Sequence, residues 1–298
     1  MIITKKKMHY GIGYHLFDIA NYTLLLLLAV VTLYPILYVT FASISQPAQI
    51  ASNRSILWHP LGFTMEAYAL VLKNPNIASG YMNTLFIVAV GTTINLFMTS
   101  LLAYVLSRKN LLWNGILMGL VVFTMYFQGG LIPNFLLVKE LGLRNSRFSV
   151  IIPMMINTMN LIIMRTSFQA IPDSLEESAR IDGAGELRIL FSVILPVSKA
   201  LIAVIVLYYA VAHWNSWFYA SLYLSDRAKY PLQVILREIL IINDTSAMAM
   251  DSNPSSLAQL DVILKYATIV VATAPILVLY PFLQRYFIKG VMIGSLKG

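Results

Sequence analysis

The chain has 298 residues, 58% hydrophobic and only 11% charged, with a formal net charge of +8, whereas a soluble domain carries about 25% charged residues. Its apolar residues fall in long blocks rather than at amphipathic spacing, which excludes one large soluble core and points to membrane spans. No basic run is interleaved with aromatics, so the charge excess does not read as a nucleic-acid surface, and the absence of cysteine excludes a disulfide framework and a Cys-ligated metal.

In chain order, a short basic segment with Lys5-Lys6-Lys7 precedes an apolar run over residues 19–44. That run is too long for a signal-peptide core and lacks a small-residue cleavage site, so it predicts a first span with the lysines in the cytoplasm. Residues 45–82 are mixed and turn-rich (Pro47, Pro60, Gly62, Pro75) and predict an outer loop, with a short helix around Thr64–Leu72. A second span is expected over 84–106, ending at the charged turn Ser107-Arg108-Lys109, and a third over 111–133. The stretch Phe127-Gln128-Gly129-Gly130-Leu131-Ile132-Pro133 should break that helix, because paired glycines and a proline remove backbone restraint and a donor. The next loop, Asn134–Ser149, carries Lys139, Arg144 and Arg147 on the outer side and breaks the positive-inside rule. Spans over 150–168, 201–224 and 266–282 follow, with a polar segment at 169–197 on the cytoplasmic side and a long outer loop at 225–264.

The resulting expectation is a single all-α domain over residues 1–298, polytopic, with six transmembrane helices and both termini cytoplasmic. No predicted span carries Asp, Glu, Lys or Arg in its middle, which weighs against an internal proton relay or ion-pair pathway. No inverted repeat stands out.

The segment at 169–197 is the strongest polar interruption in the second half of the chain. Ser174 and Glu177 have the S-x-x-E spacing of a capping box, with Pro172 just upstream. Gly183 suits a left-handed C-terminal position. Leu187–Val193 allows a second helix, and Pro196 marks the return to the membrane. A capped helix between rigid flanks makes a docking knob; the same features also serve a plain connector in which Glu177 only caps.

Glu177-Ser178-Ala179-x-x-x-Gly183, followed after nine residues by Val193-x-Leu195-Pro196, resembles the EAA signature of ATP-binding-cassette (ABC) importer permeases, with Ser178 in place of Ala and Val193 in place of Ile. Asp182-Gly183-Ala184 is similar to the version in the carbohydrate-uptake branch. The resemblance runs through Tyr34-Pro35, Ser43-x-Ser45, Phe63-Thr64-x-Glu66-x-Tyr68, Asn83-Thr84, Ala103-Tyr104-x-Leu106-Ser107-Arg108 and Trp214-Asn215. It ends at Gln284-Arg285-Tyr286-Phe287-x-Lys289-Gly290 and Lys297-Gly298. Gly129-Gly130-Leu131-Ile132-Pro133 looks most like permeases that import oligosaccharides or polysaccharide fragments, alginate importers among them.

The resemblance implies a type I permease fold in the cytoplasmic (inner) membrane and a coupling helix at 174–187 that docks on an ATPase subunit. Glu176, Glu177, Ser178, Ala179, Asp182, Gly183 and Ala184 are then the coupling residues, and Lys289, Gly290, Lys297 and Gly298 form a tail that reaches the ATPases. It implies a heterodimer with a homologous second permease, two ATPase subunits and an extracytoplasmic sugar-binding protein. ATP and Mg would be bound by the ATPases, with no cofactor or metal on this chain. The sequence contains no phosphate-binding G-x-x-x-x-G-K-[ST] loop and no nucleophile–base pair, so the chain is not expected to be an enzyme. A secondary transporter or channel working without an ATPase is the alternative, and a membrane scaffold a further one.

For a sugar path, His213-Trp214-Asn215-Ser216-Trp217-Phe218-Tyr219 combines aromatic faces with polar groups; an aromatic belt at the membrane interface has the same composition. Asn95, Asn157 and Asn160 lie within spans and either face a cavity or bond between helices. His9, His15 and His59 sit outside the spans. The 14 methionines read as packing. Tyr230-Pro231-Leu232-Gln233, in the long outer loop, is a candidate contact for the binding protein, or part of a solvated lid.

Overall fold

The computed structural model describes residues 12–53, 55–242 and 262–278. Lys5–Lys7, His9, residues 243–261, the end of the sixth predicted span and the tail with Lys289, Gly290, Lys297 and Gly298 lie outside the described residues. Among the described residues every regular element is helical. Two units divide the chain, Met1–Val71 with Ala249–Val270, and Leu72–Met248 with Val271–Gly298.

In the first unit, α1 (Ile12–Ser43) is apolar on all sides, as a helix surrounded by lipid should be. At about 1.5 Å per residue it is long enough to cross a bilayer with room to tilt. The chain then folds back on the C-terminal end of α1 through the short helix α2 (Pro47–Ser52). Two buried serines fix that return. Ser43 Oγ lies 2.7 Å from the Tyr68 hydroxyl, and Ser45 Oγ accepts the Leu61 amide at 2.9 Å while donating to the Phe41 carbonyl. The Tyr34 hydroxyl accepts the Leu57 amide at 3.2 Å.

The helix α3 (Glu66–Lys73) leads into the second unit, which is built around α4 (Pro75–Ser107). Asn74 caps α4, its side chain accepting the Asn76 amide at 2.9 Å, and Pro75 occupies the first turn, where its missing donor costs nothing. The buried face of α4 is a stripe of small and polar residues, Gly80, Thr84, Gly91, Asn95, Thr99 and Ala103. Small residues at this spacing let helix backbones approach closely in lipid. Packed on α4 are α12 (Lys199–Trp214) and α8 (Thr158–Gln169). At the Ser107 end, Ala103, Tyr104 and Leu106 join Leu161, Met164, Phe168, Ile189, Leu190 and Ile194 in one apolar cluster.

Two of the predicted spans fall on bent helix pairs, and a third bent pair joins the polar segment to the helix at the fifth predicted span. α5 (Asn114–Tyr126) breaks where the glycines predict, with Gly130 at φ +90°. A second helix, α6 (Leu131–Glu140), then leaves at 110° where a loop is expected. Where the fourth span is expected, α7 (Phe148–Ile151) and a 3₁₀ turn to Met154 are followed by α8 at 52°. The polar segment contains α9 (Asp173–Ile181) and α10 (Glu186–Ile189). A π turn at Leu190–Ile194 and α11 (Leu195–Val197) continue α10, and the chain turns 90° into α12. The π turn directly precedes Pro196, whose missing donor disrupts a regular helical ladder.

The predicted long loop is also partly buried. After α13 (Phe218–Tyr223), α14 (Leu232–Arg237) lies against α4, with Leu232 and Ile235 almost fully buried. A Cβ on Gly80 would meet Ile235 Cδ1 at 2.6 Å. The Leu232 amide donates to Thr84 Oγ1 at 2.9 Å. Of the expected binding-protein contact Tyr230–Gln233, Leu232 is therefore core, because an apolar helix here covers the glycine on α4. The last described helix is α15 (Val262–Val278).

Two of the cations that break the positive-inside rule have local partners: Arg144 lies over the Phe135 ring, and Arg147 Nε donates to Asn83 Oδ1 at 2.8 Å and lies over the Phe86 ring. The Asn83 amide donates in turn to the carbonyls of Ala228 and Tyr230 at 2.8 and 3.0 Å. Asn83→Ala would strand these partners together, and loss of buried hydrogen bonds of this kind costs about 1–3 kcal/mol. Thermal unfolding in detergent micelles should show that loss, with faster proteolysis around residues 225–242; unchanged values would separate Asn83 from the stability of this region.

Candidate functional site

Two concave regions lie in the second unit, near opposite ends of α8. The first is a cavity of 620 Å³ lined by α4, the α5 end, the α7–α8 break and α12. Asn95, Asn157, Asn160 and His213 all line it, together with Thr124, Gln128, Tyr208, Tyr209 and Ser216. Among the described residues no Asp, Glu, Lys or Arg faces this space, so it offers amides, hydroxyls and aromatic faces, a set suited to neutral polyols.

The cavity exists because helices are interrupted there. Between Met154 and Thr158 the chain leaves helical geometry, and Asn157 caps α8 by accepting the Asn160 amide at 3.1 Å. The Tyr209 hydroxyl accepts the Asn157 amide at 3.0 Å and lies 2.7 Å from Thr99 Oγ1. These bonds satisfy backbone freed by the break, as apolar surroundings require. Asn95 Nδ2 lies 3.1 Å from His213 Nε2 and 3.3 Å from the Met154 carbonyl. Its Oδ1 is buried without a protein partner, uncommon for a buried polar atom. His213 sits directly on Gly91: a Cβ there would meet Nε2 at 2.6 Å.

The other sequence candidates are elsewhere. Trp214 is buried and edge-on to Tyr81 at 6.4 Å. Asn215 is spent on the end of α12, its side chain donating to the Val211 carbonyl at 2.9 Å. Trp217 is partly exposed beneath the Arg237 guanidinium, 4.6 Å from its ring centroid. Trp214 is one helical step past His213, and Asn215 and Trp217 lie beyond the end of α12, which is why adjacency in sequence did not bring them to the cavity. Tyr208 and Tyr209 are missed in the sequence because nothing marks one tyrosine among 17 as cavity-facing.

The second region is a cleft of 250 Å³ between the Ser107 end of α4 and helix α9. The expected capping box is absent: α9 begins at Asp173 behind Pro172, and no side chain caps it. Proline at the cap starts the helix one residue before Ser174 reaches the capping position. Ser174 then offers its carbonyl to the Ser178 hydroxyl at 2.8 Å. Acidic Asp173 and Glu176 fill the first turn, where the helix dipole favours negative charge. A hydrogen bond from the Lys109 ammonium at 2.6 Å, reinforced by its charge, holds the exposed Asp173 carboxyl below the usual carboxylate range.

The C-terminus of α9 follows the prediction. Gly183 has φ +80°, its amide reaches the Arg180 carbonyl at 3.0 Å, and the Ala184 amide reaches Ala179 at 2.9 Å. These are the two bonds of a Schellman motif, and glycine adopts the left-handed position without penalty. Ala179 and Ala184 both pack on the apolar cluster. The two glutamates diverge. Glu177, Ser178 and Asp182 are exposed, while Glu176 is 6% exposed and ion-paired with Arg108. Arg108, Arg180 and Glu186 therefore belong to this region although sequence reasoning passed over them; the charged turn at Ser107-Arg108-Lys109 was the visible signal.

The contact of His213 with Gly91 is testable. Gly91→Ala should destabilise the protein by about 1–3 kcal/mol through overpacking. In a His213→Ala background the same change should cost less, with an interaction of about 0.5 kcal/mol or more. Strict additivity in thermal unfolding would contradict the packing.

Residues 86–293 match the family described as the binding-protein-dependent transport system inner membrane component. The polygalacturonan/rhamnogalacturonan transport system permease protein YtcP of Bacillus subtilis (strain 168) is 44% identical over 288 residues, covering 95% of this chain and 99% of that relative. Protein LplC of the same organism is 42% identical over 291 residues and 98% of each chain. A chain from the crystal structure of a bacterial ABC transporter involved in the import of the acidic polysaccharide alginate is 33% identical, with a TM-score of 0.86 over 94% of this chain and all of that one. A broken-helix cavity at one end of α8, a capped polar helix at the other and this likeness along nearly the whole length lead to one conclusion: the chain belongs to the family of inner-membrane components of binding-protein-dependent transport systems, the permeases of ABC importers.

Proposed function

We propose that the chain is one permease subunit of an ATP-driven importer for oligosaccharides or polysaccharide fragments. The observation that carries this reading is α9: a short polar helix, closed by a Schellman turn at Gly183 and presenting Glu177, Ser178 and Asp182 outward, in a chain with no phosphate-binding loop of its own. Such a helix is a rigid handle for an ATPase that supplies the energy. In this reading it faces the cytoplasm, the chain crosses the inner membrane six times with both termini inside, and Lys289, Gly290, Lys297 and Gly298 lie in a tail on the ATPase side. A homologous second permease, two ATPase subunits binding ATP and Mg, and an extracytoplasmic binding protein complete the assembly.

The relatives' names support a carbohydrate cargo: one is a polygalacturonan/rhamnogalacturonan transport permease, and the other comes from a transporter involved in the import of the acidic polysaccharide alginate. The cavity supports a neutral share of that recognition, with Asn95, Asn157, Asn160 and His213 meeting hydroxyls and Tyr208 or Tyr209 offering a ring face. The carboxylates of an acidic sugar would be met by cations from the partner permease or the outer segments.

ATP-driven closure of the ATPases would then move α9 and switch the cavity between inward- and outward-facing states. A secondary transporter or channel needs no docking helix and predicts uptake indifferent to α9. Glu177→Lys, and separately Gly183→Leu, should reduce uptake of a radiolabelled oligogalacturonide by about tenfold or more, a loss of about 1.4 kcal/mol in docking, while membrane insertion is retained. Wild-type uptake and ATPase stimulation in both variants would overturn the assignment.

A further inference from the structure

The sequence motif ends at Gly183, but the charges around α9 form a closed circuit that reaches beyond it. Glu176, on the side of α9 away from solvent, is ion-paired with Arg108 at the end of α4. The Arg108 guanidinium lies 4.4 Å from the Tyr104 ring centroid, and its Nε donates to the Tyr104 carbonyl at 3.2 Å. The Tyr104 hydroxyl donates to Glu186 Oε2 at 2.5 Å. Glu186 Oε1 accepts from Arg180 at 2.8 Å, which returns the circuit to α9. Lys109 and Asp173 add a second strut at 2.6 Å.

We propose that this circuit is the linkage through which movement of α9 reaches α4, with Arg108 as its positioning residue. The inference rests on the importer reading and extends it to the path of force inside the chain. Along the backbone, α9 joins its neighbours only at Pro172 and across the turn at Gly183–Gly185, so a push on α9 can be absorbed by rotation at either flank. Its underside at Ala179, and Ala184 in the turn that follows, touch the apolar cluster, and small apolar contacts let a helix slide. Ion pairs and charge-assisted hydrogen bonds fix direction as well as distance. Glu176 and Arg180 are one helical turn apart on α9, and Arg108 and Tyr104 one turn apart on α4, so the circuit holds each helix at two points. Thirteen residues along α4 from Arg108, about 20 Å at 1.5 Å per residue, is Asn95 in the cavity wall. Because α4 is an unbroken helix from Pro75 to Ser107, displacement at Ser107 is delivered to Asn95 and Gly91 without a hinge between.

The chain contains no cysteine, so Met159→Cys in the cavity wall gives a single reporter on it. The complete importer, purified with its partner permease and ATPase subunits in lipid nanodiscs, would be labelled with a maleimide with and without ATP plus vanadate. The readout is the ratio of the two labelling rates on this chain. With native Arg108 the ratio should depart from one. Arg108→Gln should shrink that response about fivefold or more, the scale of a typical coupling factor, while the ATPase still co-purifies and hydrolyses ATP. Arg108→Lys should retain part of the response, and the exchange R108E/E176R should recover more of it than R108E alone. A native response in both Arg108→Gln and Glu176→Gln would overturn the linkage. Loss of assembly in R108Q with no recovery in the exchange variant would also overturn it, by making Arg108 a folding residue only. Absence of a co-purifying ATPase, or of any response with native Arg108, would overturn the importer reading itself and the linkage with it.

Discussion

Apolar helices surrounded by lipid gain little from burying leucine against leucine, because the solvent is as apolar as the side chain. Close approach and satisfied polar groups must hold them together instead, and in this protein α4 supplies both. Its stripe of Gly80, Thr84, Gly91, Asn95, Thr99 and Ala103 admits α14 at one level, His213 of α12 at the next and the Tyr209 hydroxyl at a third. The same helix ends at Ser107-Arg108, where its carbonyls accept donors from two other helices: Asn114 Nδ2 and Arg165 Nε both reach the Leu106 carbonyl, at 3.2 and 2.8 Å. Remove α4 and neither concave region remains.

This dependence connects the two regions functionally. The cavity needs helix breaks at Gly129–Gly130 and at Asn157, and each break exposes backbone that a side chain must satisfy. Asn157 and the Tyr209 hydroxyl do so on the cavity wall, so residues positioned for a ligand also sustain the opening they face. The charged cleft obeys a different rule. Most of its lining side chains are of the charged types, and among those Glu176 is the deeply buried one, where an unpaired carboxylate would be costly. That asymmetry separates the outward-facing Glu177 from its neighbour, which is committed to the chain's own architecture.

Much of this was legible in the residues. Composition and block length indicated an all-helical membrane protein, the Gly129-Gly130 pair marked a break that occurs there, and Gly183 took the left-handed position expected of it. What escaped was mainly the consequence of local competition. Pro172 took the cap that Ser174 and Glu177 were expected to share. The segment after Ser225 looked like a solvated loop because it carries both charge signs; its apolar residues, Leu232 and Ile235, find a surface only once Gly80 and Thr84 are seen on the facing helix. Likewise Arg147 offends a topological rule in the sequence and is unremarkable beside Asn83. Long-range pairings of this kind, Arg108 with Glu176 above all, leave no local periodicity to read.

In the proposed function, α9 receives force from a separate ATPase on behalf of a permease that works in a pair. Native mass spectrometry of the complex captured through this chain from its own membrane measures that directly. One copy of this chain, one homologous permease and two ATPase chains are expected in a single mass. A mass corresponding to this chain alone, or to a homo-oligomer without ATPase, would contradict that function.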